Sequence, residues 1–372
     1  MKLLYITSFE KTSGLANRFQ VLAMAREFTR QLGKNFFFGA SDFVVSEGDF
    51  SVHNFGTPKS YRLAFRALRF CRKNDIKNIF CREPKLMFFV IFWNKLFFRL
   101  PLKTIYEIHE LVEGGFQKKF IEKFLAKRVS LNVLLTKCMA AIYGKLYRIG
   151  VERIVVASDG VDITTFDIPI TIIESRRKYN LPIDPPIGRA GKKIIGYFGR
   201  FKTMDMDKGL NDILQSLKFL PDDIVCLAMG GKKRDRDFYS EQAKKFGVAN
   251  RVIFVEQFSQ EILAEYQKAC DILLMPFPWT THFACYMSPL KMFEYMASGR
   301  PIIATDLPSI REVLNEKNAI LIKPDNPDAL AVAIKKLIAN PTSGELLAKQ
   351  ARMDVENYTW RKRIEKILQL IK

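Results

Sequence analysis

Short apolar runs and longer stretches of helical period alternate along the chain. In the first half the runs rich in β-branched and aromatic residues are Leu3–Thr7, Asn35–Phe38, Asn78–Cys81, Thr104–Ile108, Asn132–Leu135 and Arg153–Ala157. Helical patterns over Leu15–Gln31, Tyr61–Lys73, Pro84–Phe98, Phe116–Lys127 and Lys137–Ile149 separate most of them. The second half repeats the scheme. Its strands are expected at Lys193–Phe198, Ile224–Ala228, Val252–Val255, Ile272–Met275, Pro301–Ala304 and Ala319–Ile322. Its helices are expected at Lys208–Leu220, Asp235–Phe246, Gln260–Ala269, Pro289–Ala297, Ser309–Asn315 and Pro327–Ala339. This alternation predicts the α/β class, with parallel sheets covered on both faces. The Pro- and Gly-crowded stretch Leu181–Gly191 interrupts it and reads as a linker. The expected organisation is an N-terminal Rossmann-like domain over 1–183, a linker at 184–192 and a second Rossmann-like domain over 193–355. A C-terminal helix within 356–372 has no strand after it and is free to pack back on the first domain.

Composition narrows the class. The 372 residues are 48% hydrophobic and 26% charged, which excludes a disordered chain and suits two full cores. Three histidines and no Cys-x-x-Cys pair leave no metal-ligand set in view. The start, MKLLYITSFE, turns polar too early for a secretory signal, and no apolar run reaches the length of a bilayer span. A cytoplasmic protein is expected.

The net charge of +20 is unevenly placed. Residues 51–150 carry 20 Lys and Arg against 6 Asp and Glu. Aromatics interleave with the cations Arg62, Arg66, Arg69, Lys95, Arg99, Lys118 and Lys119. Such a patch seeks phosphate. Solvated helix faces, docking on an anionic membrane surface and nucleic-acid binding all fit the pattern, although no zinc-finger or RNP-type motif accompanies it.

The loops after the strands carry the candidate chemistry, because ligands of such sheets bind at the strands' carboxyl ends. Gly14 comes after the first strand at a turn into a helix, without the G-x-G-x-x-G of a nicotinamide site. His109 ends the strand Thr104–Ile108. Gly199-Arg200 opens a loop that runs through Lys202 to Lys208-Gly209, placing two cations at a helix N-terminus suited to a diphosphate. Asp205-x-Asp207 matches a metal pattern that chance also produces. In Tyr286–Ala304, Ser288 is placed to cap a helix with Pro289 at its first position, and Gly299 to stop it. Glu294 sits on this helix in apolar company and wants a partner, either nucleoside hydroxyls or Lys291.

Together these blocks resemble the family 4 retaining glycosyltransferases of the GT-B fold. The likeness runs over Gly14, His109, Asp159-Gly160-Val161-Asp162, Gly199-Arg200 through Lys208-Gly209, and Phe293–Ala304. It implies two Rossmann-like domains facing across a cleft, and transfer from a UDP- or GDP-linked sugar without metal or other cofactor. Arg200 and Lys208 would neutralise the donor diphosphate, and Glu294 would hold the ribose. The turn Met287, Ser288, Pro289, Leu290, Lys291 would meet the sugar and diphosphate. Gly14 would admit the diphosphate, and His109 would contact the sugar. The anomeric configuration would be kept by front-face substitution.

Two departures stand out. Tyr286 occupies the place of the first Glu of the family's Glu-x7-Glu. The Arg200–Lys208 spacing is also long, so either the loop bulges through Thr203–Asp207 or Lys202 takes the role of Lys208. The expected activity is transfer of a hexose-type sugar to a lipid-linked or membrane-proximal saccharide in surface polysaccharide or lipopolysaccharide assembly. The protein would sit peripherally at the inner face of the cell membrane. The alternatives are a non-catalytic nucleotide-sugar-binding partner of GT-B fold and a nucleotide-sugar isomerase.

Overall fold

The computed structural model describes residues 1–8, 15–41, 50–111, 114–182 and 191–371. Gly14 and residues 183–190 of the expected linker lie outside the described residues. The chain forms two compact units, Met1–Asp159 with Trp360–Lys372, and Gly160–Thr359.

The first unit is built on a seven-stranded sheet. Its strands are β1 (Leu3–Thr7), β2 (Phe36–Ala40), β3 (Val52–Asn54), β4 (Asn78–Cys81), β5 (Lys103–Ile108), β6 (Leu131–Leu134) and β7 (Ile154–Val156). The order is β3-β2-β1-β4-β5-β6-β7, with every neighbouring pair parallel. β1 is buried throughout, as a central parallel strand must be when helices cover both faces. Its Tyr5 meets Phe28, Phe38 and Phe80 edge-on at 4.9–6.3 Å between ring centroids. The helix Ser60–Asn74 buries Leu63, Ala64, Ala67, Leu68 and Cys71, a single stripe at helical spacing. Arg62, Arg66 and Arg69 therefore stand on its exposed side.

The second unit holds β8 (Lys193–Phe198), a hairpin β9 (Lys202–Thr203) with β10 (Met206–Asp207), then β11 (Ile224–Met229), β12 (Val252–Val255), β13 (Ile272–Met275), β14 (Ile302–Thr305) and β15 (Ile320–Ile322). Its main sheet is parallel in the order β12-β11-β8-β13-β14-β15. The strand order reverses between β8 and β13, and that switch point is where a ligand crevice forms.

The unit boundary differs from the expected one. Residues 160–182 belong to the second unit, not the first. Buried Arg176 donates to the carbonyls of Ala269 and Lys192 and pairs with Asp271 at 2.6 Å. Ser175 donates to the Glu265 carbonyl, and Tyr179 stacks on Tyr266. A Pro/Gly-rich stretch marked where regular structure pauses; these long-range bonds set where one core ends.

The helix Trp360–Ile371 belongs to the first unit. Its Arg363 donates to the carbonyls of Ala157 and Ser158 and pairs with Glu107 at 2.8 Å. Helix Pro341–Asp354, strand β3 and the β9–β10 hairpin have no counterpart in the sequence-based expectation. β3 is three residues with two polar side chains, too short to show a period.

Candidate functional site

The switch point of the second sheet is lined by the loops at the ends of β8 and β13. After β8, Gly199 and Gly209 both have left-handed backbone, at φ +105° and +93°. A Cβ on Gly209 would lie 1.8 Å from the Pro276 carbonyl oxygen, so only glycine lets this loop close on the end of β13. The long spacing between Arg200 and Lys208 is taken up by the hairpin, with Met204 and Asp205 in left-handed conformation at its tip. Its base is tied by the Tyr197 hydroxyl, which donates to the carbonyl of Arg200 at 3.0 Å.

The hairpin separates the two candidate lysines. Lys202 is turned onto the Phe238 ring, 3.9 Å from its centroid. Lys208 instead lies 5.4 Å from the Phe277 centroid, beside the end of β13. Asp207 is committed locally. It accepts from the amides of Gly209 at 2.9 Å and Asn211 and from the Tyr239 hydroxyl, so it serves the start of the next helix.

Facing this loop is the helix Leu290–Ser298. It starts one residue later than expected. Pro289, not Ser288, takes the N-cap position, because its ψ of 124° is extended. Gly299 ends the helix in left-handed conformation as expected, at φ +66°. Met287, Ser288 and Pro289 are buried and Leu290 half-buried. Tyr286 is buried at the end of a wide helical turn, His282–Tyr286.

Lys291 is the residue whose side chain the sequence pattern undervalued. It is 6% exposed, and its Nζ has no hydrogen-bond partner among the described residues. The Nζ lies 3.6 Å from the Tyr197 ring centroid and 5.6 Å from that of Phe277. Lys208 and Lys291 thus share the Phe277 ring. Burial, then Lys208, pushes the Lys291 amine well below its ordinary range. Burial, then Arg200, pushes Lys208 down to about 8. Glu294 makes no hydrogen bond to the Lys291 amine; burial raises its carboxyl to about 7, against Lys291 and a hydrogen bond from Gln260. The arrangement places two buried lysine amines near a helix N-terminus, with no anion bonded to the Lys291 amine among the described residues. The sequence signal was available: a lysine inside a helix whose neighbours Met292, Phe293, Tyr295 and Met296 are all apolar.

In the first unit, His109 comes directly after β5. Its Nε2 bonds to Glu107, which Arg363 holds from the other side. Burial, then Arg82, lowers the His109 pKa, against Glu107. With Nε2 protonated toward an ionised Glu107, Nδ1 is left as an acceptor. All seven candidate surface cations, Arg62, Arg66, Arg69, Lys95, Arg99, Lys118 and Lys119, are exposed. Exposed among them are Tyr61, Phe65, Phe92, Leu96, Phe97, Phe116 and Phe120, with Phe116 at 85%. No helix among the described residues is long and apolar enough to cross a membrane.

Comparisons with known proteins bear on the same elements. Residues 192–340 match the family described as Glycosyl transferases group 1. The chain is 27% identical over 225 residues to a D-inositol 3-phosphate glycosyltransferase of Xylanimonas cellulosilytica, covering 58% of this chain and 50% of that protein. It is 26% identical over 218 residues to the lipopolysaccharide core biosynthesis mannosyltransferase LpsB of Rhizobium meliloti, covering 57% and 56%. The chain spans about half the length of the curated relatives it matches. Among solved structures, Anabaena HepE in complex with UDP superposes with a TM-score of 0.78 at 16% identity, over 100% of this chain and 99% of that one. The likeness to the glycosyl transferases group 1 family is thus carried by residues 192–340 in the second unit, and the two parallel-sheet units have the GT-B fold.

Proposed function

We propose that the protein is a retaining, metal-independent glycosyltransferase that uses a UDP- or GDP-linked sugar. The observation that carries this reading is the buried, unpartnered Lys291 beside Lys208 at the switch point of the second sheet. A donor diphosphate supplies the missing counter-charge. Arg200, Lys208, Lys291 and the amides of the helix Leu290–Ser298 stabilise the charge that grows on the leaving diphosphate. In a water-poor site such fixed charges act strongly and need no reorganisation. Glu294 accepts hydrogen bonds from the ribose hydroxyls. With no nucleophile assigned on the protein, the acceptor attacks from the leaving-group face and configuration is kept.

A thermal-shift panel of nucleoside diphosphates, run with chelator and without magnesium, tests the donor site. UDP or GDP is expected to raise the melting temperature by mass action, and Glu294→Ala and Lys208→Ala to remove the shift. Affinity is expected to fall as the pH rises past about 8, because Lys208 must be protonated to pair with the diphosphate. A folded protein that no nucleotide shifts would sink this reading.

The acceptor in this reading is a lipid-linked or membrane-proximal saccharide in surface polysaccharide or lipopolysaccharide assembly. The function named for LpsB supports it, as do the exposed cations and aromatics of the first unit, which suit an anionic headgroup layer. The protein would then work at the inner face of the cell membrane as a peripheral protein. Sedimentation with phosphatidylglycerol vesicles is expected to retain it, and phosphatidylcholine vesicles to release it. Lys118→Ser with Lys119→Ser is expected to weaken vesicle binding by about 2 kcal/mol, roughly 1 per cation. Equal retention on both vesicles would remove the anionic surface from the proposal.

A further inference from the structure

Glu107 lies in β5 and His109 directly past its end. Residues two apart in an extended strand share a face, so the carboxyl and the imidazole stand side by side. The two oxygens of Glu107 are divided between neighbours. Oε1 bonds to the His109 Nε2. Oε2 accepts from the Arg363 guanidinium at 2.8 Å, which the helix Trp360–Ile371 brings to it. Glu107 and Arg363 are both almost wholly buried, while the His109 side chain keeps 24% of its surface exposed. His109 makes no other hydrogen bond among the described residues, so Nδ1 is the nitrogen left for a ligand.

The ring sits among charged groups from several elements. Burial and then Arg82, after β4, oppose its charged form; Glu107 and then Asp159, after β7, favour it. Burial and Arg82 prevail, so the ring is neutral near neutral pH. A neutral imidazole carries one proton, and what each nitrogen faces decides where. Arg363, then His109, outweigh burial and keep the Glu107 carboxylate ionised, and a carboxylate only accepts. Nothing but a donor fits opposite it.

We propose that Glu107, held by Arg363, is a positioning residue that fixes His109 as the Nε2-protonated tautomer, so that Nδ1 accepts a hydrogen bond from a substrate hydroxyl. The carboxyl end of such a strand is where a substrate is met. The last helix thus acts on the end of β5 from 256 positions away. The use of that lone pair in sugar transfer rests on the glycosyltransferase reading above; the tautomer does not.

Glu107→Gln tests it, because an amide cannot serve both neighbours as a carboxylate does. The guanidinium only donates, so it takes the amide oxygen and leaves the NH2 facing His109. Nε2 must then accept, and the ring proton moves to Nδ1. When Glu107→Gln is joined to Arg363→Met, the amide is free to turn its oxygen back, and the proton returns to Nε2. Nitrogen NMR shifts of the imidazole rings read the tautomer. The chain has three histidines, and His109→Gln identifies the signal. Wild type and the double variant are expected to show Nε2 protonated and Nδ1 bare, and Glu107→Gln the reverse. Nucleotide release from UDP-glucose or GDP-mannose is expected to fall about tenfold in Glu107→Gln, the loss of one hydrogen bond, and to recover to within about threefold of wild type in the double variant. A purely structural carboxylate would move the melting temperature and leave the tautomer and the rate of the folded protein unchanged. A wild-type ring protonated on Nδ1 overturns the proposal even if Glu107→Gln does not fold. An unchanged tautomer in folded Glu107→Gln overturns it too, as does a reversed tautomer with an unchanged rate. Release from neither sugar by wild type, with the tautomers as expected, defeats the glycosyltransferase reading and keeps the tautomer control.

Discussion

Lys208→Met is expected to slow sugar transfer about a hundredfold to a thousandfold, the loss seen when one preorganised stabiliser of developing charge is removed. In the same variant the ligand-free protein is expected to melt at the same temperature or higher. Both effects have one cause. Burial, then Arg200, pushes the Lys208 amine down to about 8, so the unliganded fold holds this cation at a cost. Lys291 adds to the cost, with a buried Nζ that has no partner among the described residues. In the proposed reading a donor diphosphate would reverse the balance by pairing with both. Methionine keeps the length of the stem and the contact with Phe277 without the charge. Activity and stability should therefore move in opposite directions, as expected where a site is strained for function. Initial rates of nucleotide release and a melting curve on one preparation check it. Transfer within about threefold of wild type would show that Lys208 does not face the leaving group. Lys202→Met serves as the contrast. Its amine lies over Phe238, and transfer should change little.

Arg363→Met is expected to destabilise the first unit by about 3–5 kcal/mol, because it leaves the Glu107 carboxylate buried without its guanidinium. For a unit of this size that is a fall of roughly 10 °C in melting temperature. The two side chains are 2% and 1% exposed and 2.8 Å apart. Removing both, as Glu107→Leu with Arg363→Met, should cost less than Arg363→Met alone, since no lone charge remains. Burial by itself would raise the Glu107 carboxyl; Arg363, then His109, outweigh it and hold it well below its ordinary range. A carboxyl depressed in the fold stabilises above its unfolded value near 4.5, and that contribution is lost as the pH falls below it. Wild type should thus lose stability on acidification through that range, and Arg363→Met should lose much less. Calorimetry from pH 3 to 7, in steps of about one unit, reads both effects. An unchanged melting temperature in Arg363→Met would mean that the last helix is held by its apolar face alone.

Much of this fold is legible in the order of the residues. β1, β4, β8, β12 and β13 fall on the apolar runs that mark them, with the same bounds. The stop at Gly299 is readable because a left-handed C-cap is a local demand that glycine meets. Local periodicity and capping involve residues a few positions apart, so the sequence carries them openly. The start of that helix was placed one residue early, since Pro289 suits either the N-cap or the first turn and only its neighbours decide. For the long Arg200–Lys208 spacing the sequence leaves open a bulge through Thr203–Asp207 or Lys202 in the role of Lys208, and it does not announce the hairpin Lys202–Asp207. Its two-residue turn puts Met204 and Asp205 in left-handed conformation, which their identities do not announce.

What the sequence by itself determined is the class of the fold and the strand–helix alternation of two parallel sheets. Period, turn residues and charge decide these over short stretches. The tertiary structure alone decided the unit boundary, drawn by Arg176 bonding across 95 positions to Asp271. It decided that the last helix completes the first unit, through Arg363 bonding across 256 positions to Glu107. It decided that Lys208 and Lys291, not Lys202, gather at Phe277. Burial and pairing are properties of residues far apart in the chain, and they set the free energies that turn a charged side chain into a site.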